Sequence, residues 1–374
     1  MLETPQLFPV LWGLRTFYSL RGEHHTAREM GEKVLRLAQN AKDRTLLLEA
    51  HYALAAPLLT LGEFALAREH DEQGVALYDP QQHRSHALLY GQDPGVGCLA
   101  HRSMALWHLG YADQALKSSH DALTLAHERA HPYSLAFTLT FAAWIHQLRR
   151  EEQTVRERAE ATIALCSEHG FTMWLTVGTI LRGWALAKQG QGEAGIVQMH
   201  RGLAALRAVG AEGLRPLWLT MLAEACEGTG QVEQGLNVLA EALTLVEKNG
   251  EWGAGAELYR LKGTLMLQSK TSLGPVSGRS QASQDQSRGP DPRPLTSDSQ
   301  AEAEACFLKA IKIAQRQSAK SLELRAVMSL SRLWQKHGKK DEARQLLAEI
   351  YGWFTEGLDT KDLQEAKRLI EELS

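Results

Sequence analysis

Leu109-Gly110-Tyr111-Ala112-Asp113-Gln114-Ala115-Leu116 is the unit that the rest of the chain copies. A glycine ends one helix, and an alanine five residues later stands on the packed face of the next. Ala122, Leu123 and Ala126 carry that face onward at helical spacing. With Gly110 as the phase mark, equivalent positions fall at Gly22, Gly62, Gly110, Arg150, Gly190, Gly230 and Gly338, in steps of 40, 48, 40, 40, 40 and 108. Five residues after the marks stand Ala27, Ala67, Ala115, Val155, Gly195, Gly235 and Ala343, all small except Val155. Seven before them stand Arg15, Ala55, Ser103, Ala143, Gly183, Ala223 and Ser331, where only Arg15 is large. Two antiparallel helices approach closely only where one lacks a bulky side chain. The pattern therefore predicts tandem helix pairs with a period of about 40 residues rather than separate globular domains.

The step of 108 holds one pair split by an insertion. Gly263 supplies the small residue of its first helix, and Ala303, Ile311 and Ala314 carry its second. Between them, residues 269–300 are rich in Ser, Gln, Pro, Gly and Arg with almost nothing apolar, a composition that cannot offset its ordering entropy. We expect a disordered insertion there. The organisation is thus residues 1–268 for six pairs and the first helix of the seventh, 269–300 for the insertion, and 301–374 for the rest. The eight extra residues between the second and third pairs fall in 79–97, which reads as an edge loop with a helical turn near His83 to Tyr90. At the end, Leu363, Ala366, Leu369, Ile370 and Leu373 form the apolar stripe of a capping helix opened by Asp359 or Thr360, and its other face is charged. The first helix, starting near Gln6, has no polar cap before it, so we expect either a fragment or an upstream domain covering that face.

Composition narrows the partners. A net charge of −3 gives no electrostatic case for nucleic acid or an anionic membrane. The four cysteines are far apart and read as reduced. No basic region precedes an apolar core at the N-terminus, and no apolar run approaches the roughly 20 residues that cross a bilayer. We expect a cytoplasmic chain.

A helical pair with Gly, then Ala five residues on, then a small residue followed one turn later by Leu, resembles the tetratricopeptide repeat, whose usual period is about 34 residues. That resemblance implies an all-α, right-handed superhelical solenoid of about eight tetratricopeptide-like pairs with a C-terminal capping helix. Four longer runs sharpen it: Leu77-Tyr78-Asp79-Pro80-Gln81-Gln82-His83-Arg84, Leu181-Arg182-Gly183-Trp184-Ala185-Leu186-Ala187, Ala256-Glu257-Leu258-Tyr259-Arg260-Leu261-Lys262-Gly263 and Ala348-Glu349-Ile350-Tyr351-Gly352-Trp353-Phe354-Thr355. Together they resemble the C-terminal region of bacterial multidomain proteins that join an adenylate/guanylate cyclase-like domain to a predicted signal-transduction ATPase and then to such repeats. The resemblance implies a non-catalytic regulatory and protein-binding arm, with cyclase and ATPase domains upstream and no cofactor of its own. A stand-alone adaptor bridging other proteins is the alternative.

Two short motifs imitate catalysis. Gly190-Gln191-Gly192-Glu193-Ala194-Gly195 matches G-x-G-x-x-G, but a helical segment rather than a strand precedes it, so it reads as the turn of a pair. His127-Glu128-Arg129-Ala130-His131 matches H-E-x-x-H, the basis of a remote zinc hydrolase reading. Pro132 opens the next helix, which makes His131 an N-cap or loop residue instead. His101 and His108 share a face and read as a solvated or capping pair; His24 and His25 read as surface.

The constellation that points to binding is aromatic. In stacked pairs the first helices line the concave side, at positions three before, one after and four after the small residue. That selects Trp12, Tyr52, Leu59, Met104, Trp107, Thr140, Trp144, Gln147, Ile180, Trp184, Thr220, Glu224, Glu227 and Arg260. Aromatic side chains anchor binding surfaces because they supply contact area at low entropic cost. The face turns polar toward Glu224 and Arg260, so a peptide would find apolar anchors at one end and charge partners at the other. The competing reading makes the same tryptophans wedges between neighbouring pairs.

Overall fold

The computed structural model describes residues 4–269 and 297–374. Its helices are α1 Thr4–Leu20, α2 His24–Ala41, α3 Arg44–Leu61, α4 Phe64–Leu77, α5 His86–Tyr90, α6 Pro94–His108, α7 Ala112–Arg129, α8 Pro132–Leu148, α9 Glu152–His169, α10 Thr172–Lys188, α11 Gly192–Ala208, α12 Arg215–Gly228, α13 Val232–Asn249, α14 Gly255–Ser269, α15 Ser297–Arg316, α16 Lys320–Lys336, α17 Lys340–Tyr351 and α18 Lys361–Leu373. A 3-10 turn, Trp252–Ala254, precedes α14. Among the described residues there is no strand. The helices form eight antiparallel pairs, from α1 with α2 to α16 with α17, closed by α18. This is a tetratricopeptide-like solenoid. The expected insertion lies almost wholly outside the described residues, and at its edges Ser269 still ends α14 while Ser297 opens α15.

The seven phase marks share one backbone state. Gly22, Gly62, Gly110, Gly190, Gly230 and Gly338 all have positive φ, and Arg150 adopts it at +62°. A left-handed residue lets the next amide reach back to the helix's last free carbonyls, as Glu63 N–H does to Leu58 at 2.9 Å. A second series marks the turns between pairs: Ala130, Gly170, Gly210 and Gly250, again with positive φ and 40 residues apart. The small residues act as the spacing demands. A β-carbon built on Gly195 would lie 2.4 Å from the Gly183 carbonyl, so α10 and α11 touch backbone to backbone. In the split pair, Gly263 meets Phe307 and the Ala303 carbonyl.

The array winds until it meets itself. Each pair lies against the one about five further along. Gly213 N–H donates to Leu20 O at 2.8 Å and His24 faces Glu251 at 3.4 Å, joining the first pair to the turns on either side of the sixth pair, α12 and α13. Ser321 Oγ donates to Trp107 O at 2.6 Å, and the Glu356 carboxylate accepts from the Asp113 and Gln114 amides at 3.0 Å, capping α7 from the far end of the chain. The fourth pair meets α18: Arg150 bonds Asp362 at 3.1 Å and Glu365 at 2.9 Å, and Lys361 bonds Glu152 at 2.7 Å. The first turns of the charged face of α18 therefore meet an earlier pair, while Lys367, Arg368, Glu371 and Glu372 are exposed. No helix among the described residues is long and apolar enough to cross a membrane.

Candidate functional site

Winding the first helices inward around one superhelical turn leaves a cavity of about 600 Å³ at the axis. Helices α1, α3, α6, α8 and α12 line it, and α16 reaches it through Leu322 and Arg325. Aromatic rings form a connected part of its wall. Trp12 packs against Tyr90 at 5.2 Å and Tyr52 at 6.3 Å between ring centres; Phe141 packs against Trp144 at 5.6 Å, and Trp144 against Trp218 at 5.3 Å. A cavity of this size with a few polar groups in an apolar lining has the form of a ligand pocket.

The sequence-selected concave residues divide. Trp12, Tyr52, Leu59, Met104, Trp144, Gln147, Thr220 and Glu224 line the cavity. Trp107, Thr140, Ile180, Trp184, Glu227 and Arg260 do not. Trp107 is covered by α16: Arg325 lies 4.9 Å over its ring, and Ser321 holds its carbonyl. Ile180 and Trp184 are fully buried, the latter donating its indole N–H to Glu224 at 2.9 Å. Thr140 is buried and bonds the Ala136 carbonyl of its own helix, and Arg260 pairs with Glu257 at 2.6 Å. The register rule treats the concave side as one continuous face. Tight winding instead lays later pairs over part of it.

Arg15, His24, Tyr90, Gln92, His101, Phe137, Phe141 and Trp174 also line the cavity, and the register reading does not select them. Arg15 carried a signal, because it is the one large residue at the small position of a pair. The segment read as an edge loop turns inward: His86 bonds the buried Glu49 at 2.6 Å, Tyr90 packs on Phe8, and Gln92 faces the cavity. Of the two histidine pairs only His25 is a surface group. His24 is 2% exposed, and His101 stacks on Tyr52 at 5.3 Å. Burial pushes His101 down to about 3 and His108 to about 4, so both stay neutral near pH 7.

Electrostatics on the Glu224 side are settled within the protein. Burial raises its carboxyl, but Lys188 at 2.9 Å and the Trp184 N–H more than reverse this and hold it to about 2. The two catalytic look-alikes are parts of turns. Gly190 is left-handed and Gly195 is packed on Gly183. His127 lies on α7, Ala130 breaks the helix with φ +51°, and His131 caps α8, where its Nδ1 accepts from Ser134 N–H at 3.3 Å. The continuous helix that an H-E-x-x-H site requires is not there, and no three metal-ligating side chains gather among the described residues.

No family model matches the chain. It is similar to an uncharacterized protein of Rhizobium meliloti (strain 1021), 25% identical over 267 residues. That match takes in 71% of this chain and spans about a quarter, 26%, of the relative. Among solved structures it is similar to the Rap protein complexed with Competence and Sporulation Factor, with a TM-score of 0.54, 10% identity and 98% of both chains covered. It is likewise similar to NprR in complex with its cognate peptide NprX, with a TM-score of 0.54, 10% identity, and 97% of this chain and 96% of that one covered. At such identities the likeness establishes the fold, a wound array of helix pairs.

Proposed function

We propose that the chain is a non-catalytic interaction module that takes a peptide, or an exposed segment of a protein partner, into the axial cavity. One observation carries this reading: the array closes on itself around a pocket walled by Trp12 of α1, Tyr52 of α3, Met104 of α6, and Phe141 and Trp144 of α8, so that four consecutive first helices contribute. The two solved structures of the same fold were each obtained with a peptide or factor bound, which supports the same use here.

The pocket is built to report its contents. Its wall includes α1 and α3 from early pairs and Leu322 and Arg325 from the eighth, so a ligand touches both ends of one superhelical turn. A ligand that favours one spacing of those ends shifts the pitch of the whole array, because the same pairs set both the pocket and the closure of the turn. We read the module as the regulatory arm of a longer cytoplasmic protein whose cyclase-like and ATPase domains respond to that shift. The relative of which this chain spans a quarter supports a longer parent; the nature of the parent rests on the resemblance of the four sequence runs.

The test is a screen of pooled synthetic hexapeptides against the purified chain, read by tryptophan emission and thermal shift, with Trp144→Ala as the comparison once circular dichroism has shown it folded. Binders are expected to weaken about 10-fold or more in the variant, the usual loss for a central aromatic anchor. Unchanged binding would move the site away from the cavity.

A further inference from the structure

Arg15 is the unusual member of the cavity wall. It occupies the position that every other pair gives to Ala, Ser or Gly, yet it is only 5% exposed. Its guanidinium lies 4.8 Å over the Trp12 ring and 5.8 Å from the Tyr52 ring centre, which fixes it in place. It makes no hydrogen bond or ion pair among the described residues, and its Nε and Nη2 are buried without partners. Trp12 Nε1, Trp144 Nε1, Trp174 Nε1 and Gln92 Nε2, all from lining residues, are likewise unpartnered donors.

The other charges of the wall already have partners. Glu224 is held by Lys188, Glu257 by Arg260, and Arg325 by Asp362. His24 faces Glu251, which also accepts from Asn249. The acid whose field reaches Arg15 is Glu49; it is bonded to His86, and burial raises its carboxyl toward the neutral form. Burial also pulls the Arg15 guanidinium below its ordinary value. A buried cation with no counter-charge is costly, and the shortage of acceptors here is general.

We infer that Arg15 is the anchor for a carboxylate on the ligand, a peptide C-terminus or an acidic side chain, with the aromatic wall receiving the apolar part beside it. A planar guanidinium matches a carboxylate in two parallel hydrogen bonds. A single cation in an apolar wall suits one negative charge, whereas a phosphate would bring nearly two. The inference rests on the cavity reading above.

The experiment uses three probes: acid-free hexapeptides with a free C-terminus, the same peptides amidated, and amidated hexapeptides carrying one Asp or Glu. Tryptophan emission gives affinity for the wild type, Arg15→Met and Arg15→Lys. Binding of a carboxylate-bearing pool should exceed that of the neutral pool about 10-fold or more, and Arg15→Met should abolish that preference. The first and third pools tell a terminal from a side-chain carboxylate. Arg15→Lys, which keeps the charge and loses the fork, should retain part of the preference and serves if the methionine variant does not fold. In the absence of peptide, Arg15→Met should raise Tm, since it relieves an unpaired buried charge; a lowered Tm with the preference intact would make Arg15 a packing residue and overturn the inference. Equal binding of the amidated acid-free pool, retained in Arg15→Met and lost in Trp144→Ala, would overturn the carboxylate and leave the cavity reading standing. Binding by none of the pools would overturn both.

Discussion

Ser321 donates its hydroxyl to the main-chain carbonyl of Trp107 at 2.6 Å, across 214 positions of sequence. That contact sets the eighth pair on the third and explains why a tryptophan in concave register does not reach the cavity. Beside it, Arg325 binds Asp362 at 2.7 Å and the Leu148 carbonyl at 2.6 Å, so one guanidinium ties together α8, α16 and α18.

Closure of the superhelix should therefore be sensitive to Asp362. Asp362→Ala leaves Arg325 and Arg150 without their shared, largely buried partner, and we expect a loss of about 3 kcal/mol. Arg332→Ala, which removes an outer partner of Glu365 with a half-exposed side chain, should cost under about 0.5 kcal/mol. Urea denaturation of both variants checks the contrast; equal costs would remove the closure from the stability of the fold.

Acid should destabilise the chain early. Burial, reinforced by His70, pushes His51 down to about 4, matching His108, and His101 lies at about 3. The unfolded chain protonates these rings near pH 6.5, so below that pH it binds protons that the folded chain refuses, and stability falls toward pH 4. Glu224 and Glu151 extend the loss lower: for both, burial raises the carboxyl but basic and hydrogen-bonding partners bring it to about 2, so their contribution is present above about pH 4.5 and disappears toward 2. His108→Phe, which keeps the ring stacked on Phe64, should flatten the upper part of a plot of urea midpoint against pH, and Glu224→Gln the lower part.

Two glycines with different duties should respond differently to alanine. At Gly195 a β-carbon meets the Gly183 carbonyl and the Ala187 amide, both backbone, so α10 and α11 must separate; we expect about 3 kcal/mol. At Gly210 a β-carbon meets nothing within 4 Å, and only the left-handed φ of +72° is penalised, by about 1 kcal/mol. Thermal melts that rank the two in the opposite order would contradict the close-approach account.

The turn series 130, 170, 210, 250 carries glycine at every place but the first. Ala130 pays for its φ of +51° in a state that glycine enters freely, so Ala130→Gly should stabilise the protein by about 1 kcal/mol, read as a raised midpoint in urea.

Sequence alone determined the local geometry of this protein. Glycines and small residues at fixed spacing specify where helices stop and where two may touch, and those are short-range steric facts that a period of 40 repeats in full view. The assignment of Gly263 and Ala303 to one split pair, and of His131 to a helix cap, followed from the same register. What only the tertiary structure decided is the closure of the superhelix. Small angular steps between pairs add up until pair three meets pair eight, and no local signal records that sum. This is why Trp107 is covered while Trp12 and Trp144 line a cavity, and why Gln92, in a segment that reads as an edge loop, faces inward; Ile180 and Trp184 are buried by their own pair and the next one. Arg15 stands between the two levels: the sequence showed a misfit at a small position, and only the wound array shows that the misfit brings an unpartnered cation to the cavity wall.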